Sequence, residues 1–407
     1  MYNGQRKRLT AEQIMVYCYA MPKKPIGVDM KSAFVLILML GVSYCLSGFS
    51  VFLRNEVAAT GVFYFEHEQD KADLSLLYQP ELNVSHSFSP DFSMVGQAMG
   101  NALIRQVFRP GDDDFTQRGK LYRLWLKAGT PQMEARLGLQ RLNFGSAQIL
   151  RPLQWFDTLD PTDILERTEG VQAALLRYYF LNNANLWLWG IRGEGKTHGQ
   201  MLTYTKENTP ELGGRIQYPL SKGELALTFN HRSETQIMGQ DTGSETRVGL
   251  DAKYDLEFGI WAEGYVSIPE DYEILIPAYT DSLPLIFLLE SKYQVPLTVG
   301  LDYTIGIGNG IYTMAEAQLW SETESSLHKL SGEYLTFAYT TNYPIGLLDT
   351  IHYFGTVKDD ATVSTHSVIW RRKYDRWSFD ASLFWDAGTR HKLYNSRGIK
   401  LIASYVF

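Results

Sequence analysis

The chain closes with GIKLIASYVF, Gly398 to Phe407. Counting back from Phe407, residues Tyr405, Ala403, Leu401 and Ile399 make an unbroken apolar row, while Lys400 and Ser404 fall on the other side. Side chains on a strand point alternately to opposite faces, so a period of two sets one face against an apolar medium and the other against a polar one. The same signature recurs from about Val57 onward, in KLYRLWLKA (120–128), MEARLGLQRL (133–142), VQAALLRYYF (171–180), ELALTFNHR (224–232), TRVGLDAKY (246–254), LTVGLDYTIG (297–306) and WSFDASLFWD (377–386). In TRVGLDAKY the apolar face is Val248, Leu250, Ala252 and Tyr254, opposite Arg247, Gly249, Asp251 and Lys253. In KLYRLWLKA it is Tyr122, Leu124, Leu126 and Ala128, opposite Arg123, Trp125 and Lys127. Helical periodicity is nearly absent.

A soluble sandwich also alternates, with its apolar face inward. Connector lengths argue against it. Short turns at SPD (89–91), GTPQ (129–132), LNNAN (181–185), SKG (221–223), GIGNG (306–310) and KYDR (373–376) take turns with longer polar connectors at 106–117, 143–169, 193–212, 233–243, 269–293 and 321–331. Membrane-spanning barrels have this asymmetry, with tight turns at one rim and long loops at the other. The predicted fold is all-β: a single transmembrane antiparallel barrel over residues 51–407, of about eighteen strands with sixteen as the alternative count. LPLIFLL (283–289) is assigned to a long external loop, because one more barrel strand would break the even count. Tyr122, Tyr178, Trp187, Trp189, Tyr254, Tyr303, Tyr339, Trp377 and Trp385 lie near strand ends and are expected in the two interfacial aromatic girdles.

The composition agrees. Aromatic residues make up 13% of the 407 residues, yet a mean hydropathy of -0.19 excludes a bundle of long apolar helices. One stretch, AFVLILMLGVSYCLSGFS (33–50) after Met30 and Lys31, has the basic flank, short apolar centre and small terminal residues of a secretory signal cleaved near Ser50. Residues 1–29 are then an extended leader or a mis-assigned start. Both cysteines, Cys18 and Cys45, precede that cleavage point, so the mature chain carries none into an oxidising compartment. Removing residues 1–50 takes away six Lys/Arg and two Asp/Glu, leaving 32 basic against 43 acidic side chains, a net charge of -11. That balance argues against nucleic acid as a partner.

The terminal strand resembles the C-terminal strand of Gram-negative outer-membrane β-barrels, which in that class ends in an aromatic residue and is read by the barrel-assembly machinery. The resemblance makes Phe407 and Tyr405 the assembly signal and outer-membrane lipid the surrounding partner. A second stretch, GLQRLNFGSAQILRPLQWFDTLDPTDILERTEG (138–170), is similar to the Gln/Gly-containing strand and following inserted loop of porin-like and polysaccharide-export barrels, including the alginate-export type. This likeness implies a passage for a polar or anionic solute, narrowed by an inward-folded constriction loop with Arg151, Trp155, Asp157, Asp160 and Asp163. The arginine-rich lining of an alginate exporter is only partly present, so that substrate is not carried over.

By the pleat, the lumenal side is expected to carry Arg123, Lys127, Glu134, Arg136, Gln140, Arg177, Arg247, Asp251, Lys253, Glu263, Asp302, Glu316 and Asp380. Mixed charges of this kind either filter polar solutes or pair across strands and stiffen an inert wall. Asp157, Asp160 and Asp163 lack the glycine-containing loop of an EF-hand, so no metal is assigned, and no cofactor is implied. His391 and Ser396 share an expected external loop without the strand-fixed geometry of a nucleophile and base, so no enzyme is expected. GIRGEGKT (190–197) fits a phosphate-binding consensus, but HGQMLTYTKENTPELGG (198–214) offers no helix to follow it. No nucleotide partner is assigned. The leading expectation is a channel for polar or charged small solutes or an exported polymer. The alternative is a closed barrel acting through its loops as receptor, adhesin or assembly partner. No oligomer interface is legible, and the question of an oligomer stays open.

Overall fold

A computed structural model describes residues 48–65, 71–108, 114–157, 168–199, 203–237, 239–271, 273–279, 284–290, 292–323, 331–358, 364–387 and 397–407. The proposed signal segment falls outside these residues except for its last three, where the first strand already begins at Phe49. The strands, in chain order, are β1 Phe49–Tyr64, β2 Lys71–Ser89, β3 Phe92–Phe108, β4 Asp114–Gly129, β5 Met133–Gln140, β6 Val171–Tyr179, β7 Asn185–Arg192, β8 Tyr204–Thr205, β9 Pro210–Leu220, β10 Gly223–Ile237 and β11 Gln240–Asp255. They continue as β12 Gly259–Pro269, β13 Glu273–Tyr279, β14 Pro284–Glu290, β15 Tyr293–Ile305, β16 Ile311–Thr323, β17 Ser331–Pro344, β18 Asp349–Lys358, β19 Ser364–Lys373, β20 Trp377–Ala387 and β21 Arg397–Val406.

Nineteen of them share one sheet, and β13 and β14 form a separate two-stranded hairpin. The two-residue β8 pairs only with the far end of β10, which leaves eighteen strands around the ring. Every pairing is antiparallel, and the ring closes where β1 meets β21, from Glu56 opposite Val406 to Tyr64 opposite Gly398. Closure leaves no free edge, the condition for strands to cross hydrocarbon. Phe407 completes the seam by exchanging backbone hydrogen bonds with Asn55 at 2.9 and 3.0 Å.

Burial runs opposite to that of a soluble protein. Leu126, Leu137 and Leu250 on the outer face are 51%, 66% and 54% exposed, whereas inward Arg247, Asp251 and Glu263 are each 1% exposed. Covering a fully exposed leucine is worth roughly 1.5–3 kcal/mol, so an outer belt of this kind is stable only in an apolar solvent. The fold is thus the all-β, eighteen-stranded transmembrane barrel that the alternation predicts.

Four details depart from expectation. The connector expected at 233–243 shrinks to residues 238 and 239 between β10 and β11, and that at 106–117 shrinks to 109–113 between β3 and β4. Beyond the hydrocarbon both faces of a strand meet water, so the alternation stops while the hydrogen-bond ladder continues. Of LPLIFLL, residues 284–289 do stay out of the barrel, but within strand β14 of the loop hairpin. Tyr122 turns inward and is fully buried. A bulge causes this: Met99 pairs with Arg123 and Gly100 with Leu121, so Tyr122 is the extra residue. Trp187 and Trp189 also face inward, sharing cross-strand rows with Arg177 and Leu175. Tyr178, Tyr303, Tyr339 and Trp377 are exposed on the outside.

Candidate functional site

The feature that shapes the lumen is the chain between β5 and β6, described over 141–157 and 168–170. It folds inward rather than outward because both its apolar and its polar atoms find partners on the inner wall. Leu142, Phe144, Leu153, Trp155 and Phe156 bury themselves against Val171, Ala173 and Leu175 of β6, Trp189 and Ile191 of β7, and Tyr265 of β12. Phe144 stacks on Trp189 with ring centres 5.5 Å apart, and Trp155 meets Tyr265 edge-on at 5.6 Å.

Three carboxylates of the wall then hold the loop backbone. Glu316 of β16 accepts hydrogen bonds from the backbone N–H groups of Gln148, Ile149 and Leu150 at 2.6, 3.0 and 2.6 Å, and from Trp261 Nε1 at 2.9 Å. Glu263 of β12 accepts from the N–H groups of Ala147 at 2.8 Å and Leu153 at 3.1 Å. Asp251 of β11 accepts from Ser146 Oγ at 3.0 Å while Arg215 of β9 donates to both its oxygens at 2.5 and 2.9 Å. Hydrogen bonds of this kind are worth about 0.5–3 kcal/mol each, the upper part of the range belonging to charged acceptors. Gly145 makes the approach feasible: its φ is 99°, and a Cβ there would stand 2.4 Å from Glu263 Oε2.

The expected lumenal residues therefore have unequal surroundings. All thirteen occupy inward register positions, but Arg123, Gln140, Arg247, Asp251, Glu263 and Glu316 are buried. Arg123 donates to the carbonyls of Tyr122 at 2.6 Å and Thr168 at 2.9 Å, and Gln140 Nε2 donates to the Ala173 carbonyl at 2.8 Å. Arg247 Nε donates to Glu245 at 2.7 Å. Asp302 accepts from Gly259 N and from the Tyr312 hydroxyl, both at 3.0 Å, and Lys253 lies 3.6 Å from Asp255. Lys127, Arg136 and Arg177 gather around Glu134 at 3.6, 2.8 and 3.6 Å. Within the loop, Arg151 donates to Asn143 and to the Phe144 carbonyl, Trp155 is in the packed core, and Asp157 is bound by Arg141 at 2.9 Å. Asp160 and Asp163 lie outside the described residues, as do His391 and Ser396.

Across the barrel the wall is different. Strands β19, β20, β21 and β1, with the turn after β19, frame a recess of about 330 Å³. Its five basic side chains, Arg54, Arg371, Lys373, Arg376 and Lys400, outnumber the acids Glu56, Asp375 and Asp380. Arg371 grips Asp380 through two bonds of 2.8 and 2.6 Å, yet its side chain is 55% exposed. Sequence reasoning found Asp380 here but missed its arginine. The signal was WRRK (370–373), a cationic run ending β19, which reads as solvated turn charge.

GIRGEGKT ends β7 and starts the next external loop, with no helix after it among the described residues. Lys196 pairs with Glu194 at 2.7 Å and Glu169 at 3.2 Å, so this segment ties down the returning end of the inward loop. Gly193 is required there because a Cβ would stand 2.1 Å from the Lys206 carbonyl oxygen. Next to it, burial foremost, with Lys196 adding to the effect, pulls the His198 imidazole down to about 4, so it is neutral at pH 7. No group of three or more His, Cys, Asp or Glu is placed to hold a metal among the described residues.

No protein-family model and no curated protein sequence matches the chain. Solved structures do. Pseudomonas aeruginosa OccK8 (OprE) superposes with a TM-score of 0.53 at 10% identity, covering 88% of this chain and 98% of that one. P. aeruginosa OccD3 (OpdP) gives 0.52 at 10% identity over 91% and 93%. Acinetobacter baumannii OccAB4 gives 0.51 at 8% identity over 88% and 98%. At such identity the likeness concerns the fold: the chain has the closed barrel architecture of these bacterial proteins.

Proposed function

We propose that the protein is an outer-membrane channel that lets small polar solutes, anionic ones preferentially, cross by diffusion. The observation that carries this reading is the asymmetric lumen. One wall has its acids occupied by the latched loop that covers it, and the other keeps a basic recess exposed. A ring of eighteen strands is wide enough to leave a water-filled passage unless loops fill it, and the loop here lies along β6, β7, β11, β12 and β16. An inward loop narrows the lumen, which favours small solutes over the exported polymer suggested by the likeness of 138–170 to export barrels. In this reading Phe407 and Tyr405, outward on the closing strand, are the residues the barrel-assembly machinery reads. Planar-bilayer recording of the purified barrel tests the proposal. Discrete conductance steps with a reversal potential on the anion side support it, and a folded barrel that passes no current overturns it.

A further inference from the structure

One group of charges serves neither the latch nor the basic recess. At the short-turn end of β4, β5 and β6, Lys127 stands opposite Arg136, and Glu134 stands opposite Arg177. All four point inward. Three cations thus share one carboxylate, and only Arg136 forms a hydrogen bond with it, at 2.8 Å. The side chains of Arg136 and Arg177 are only 17% and 16% exposed. The guanidinium of Arg136 lies 4.6 Å from the Trp125 ring centre, and that of Arg177 lies 3.8 Å from the ring of Trp187. Stacking of this kind uses the flat face of a guanidinium and leaves its N–H edge free for in-plane bonds. Each keeps one such donor in reserve: apart from the Arg136–Glu134 bond, Arg136 Nε, Arg177 Nε and the neighbouring Trp187 Nε1 are buried donors without a hydrogen-bond partner.

Burying donors without acceptors is costly, and so is burying two positive charges in excess of negative ones. The adjoining strands do not relieve the excess. On β7 the neighbour of Arg177 is Trp187, and on β9 the next residue in that row is Arg215, committed to Asp251. On β3 the residue opposite Lys127 is Val95.

We infer that Lys127, Arg136, Arg177 and Trp187 form a binding site for a planar or tetrahedral oxyanion, a carboxylate or phosphate group carried by a solute at the short-turn mouth of the passage. The rigid N–H edge of arginine matches two oxygens of such a group, and the indole N–H supplies a third donor of fixed direction. Glu134 sets the affinity, since it competes for the same cations. The inference rests on the channel reading for its biological setting but not for its test.

Calorimetric titration of the detergent-folded barrel with inorganic phosphate and, separately, with succinate measures the site without any conductance. Saturable binding of one or both is expected, with the preferred anion showing whether phosphate or carboxylate is the natural group. R136Q/R177Q should weaken it by about tenfold, and E134Q should tighten it by a similar factor. Because E134Q is a gain, misfolding cannot imitate it. No saturable heat from either anion, or an E134Q barrel that binds no more tightly than the parent, overturns the site. A barrel that binds anions but passes no current keeps the site and loses the channel; one that conducts but binds neither anion does the reverse.

Discussion

The two sides of the lumen are built from the same strand pattern and put their charges to opposite uses. On β11, β12 and β16 the acids Asp251, Glu263 and Glu316 are 2% exposed or less, with their oxygens filled by the loop backbone, Arg215 and Trp261. On β19 and β1 the arginines are half-open: the side chains of Arg371 and Arg54 are 55% and 42% exposed. The difference teaches that an inward-facing charge is not by itself a filter. A charge can reach a solute only where it stays solvated, and the inward loop has buried the acids of its own wall. What it leaves open is a recess on the far wall where five basic side chains stand beside three acidic ones, although the chain as a whole is acidic.

The contrast can be broken most strongly from the latched side. E263Q/E316Q replaces acceptors of six hydrogen bonds, four of them to Gln148, Ile149, Leu150 and Trp261 and two to Ala147 and Leu153. Each amide brings an N–H₂ that faces donors. The loop's docking should weaken by about 2–4 kcal/mol or more, seen as rapid chymotrypsin cleavage after Phe144 and severalfold noisier current, with the barrel still folded by gel mobility. W155A attacks the apolar half of the same latch and should cost about 3–5 kcal/mol of docking, with the same protease readout.

A smaller effect is expected from the other wall. R54Q/R371Q/K400Q should leave conductance within about twofold and move the reversal potential in a KCl gradient toward cations. An unmoved potential would mean that this wall does not set selectivity. The smallest effect is the pH response of the roof over the loop. His198 has a folded pKa of about 4 against 6.5 for the free side chain. The unfolded or opened form therefore binds the proton first: local stability is full above pH 6.5 and declines as pH falls from 6.5 to about 4. Hydrogen-exchange protection of residues 193–199, taken relative to the intrinsic rate at each pH, should fall over that window, and H198Q should flatten the response.

Much of the fold was legible because a lipid solvent imposes one rule on every strand. An apolar residue must recur at each second position, and eighteen segments obey it. Where the rule lapses, the reading fails for physical reasons. Beyond the bilayer, SETQI (233–237) has no reason to alternate, although it stays in the ladder. At Tyr122 a bulge inserts one residue, which no periodicity reveals. Trp187 and Trp189 alternate correctly, but their inward face is apolar because the loop covers it, so they imitate a girdle. The inner candidates could be placed on the right face, yet their roles could not be read. Glu316 and Asp380 look alike along the sequence; one holds a loop 166 to 168 residues away in the chain, and the other pairs with an arginine nine residues away.

The account turns on a passage bounded by the latched loop on one side and the basic wall on the other. Single-channel conductance of the barrel, compared with a variant in which residues 143–157 are replaced by a short Gly-Ser linker, measures that boundary directly. The account predicts discrete steps in the parent and steps several times larger in the variant, with anion preference retained because Arg54, Arg371 and Lys400 are untouched. Equal steps in the two proteins, or none in either when both are folded, would contradict it.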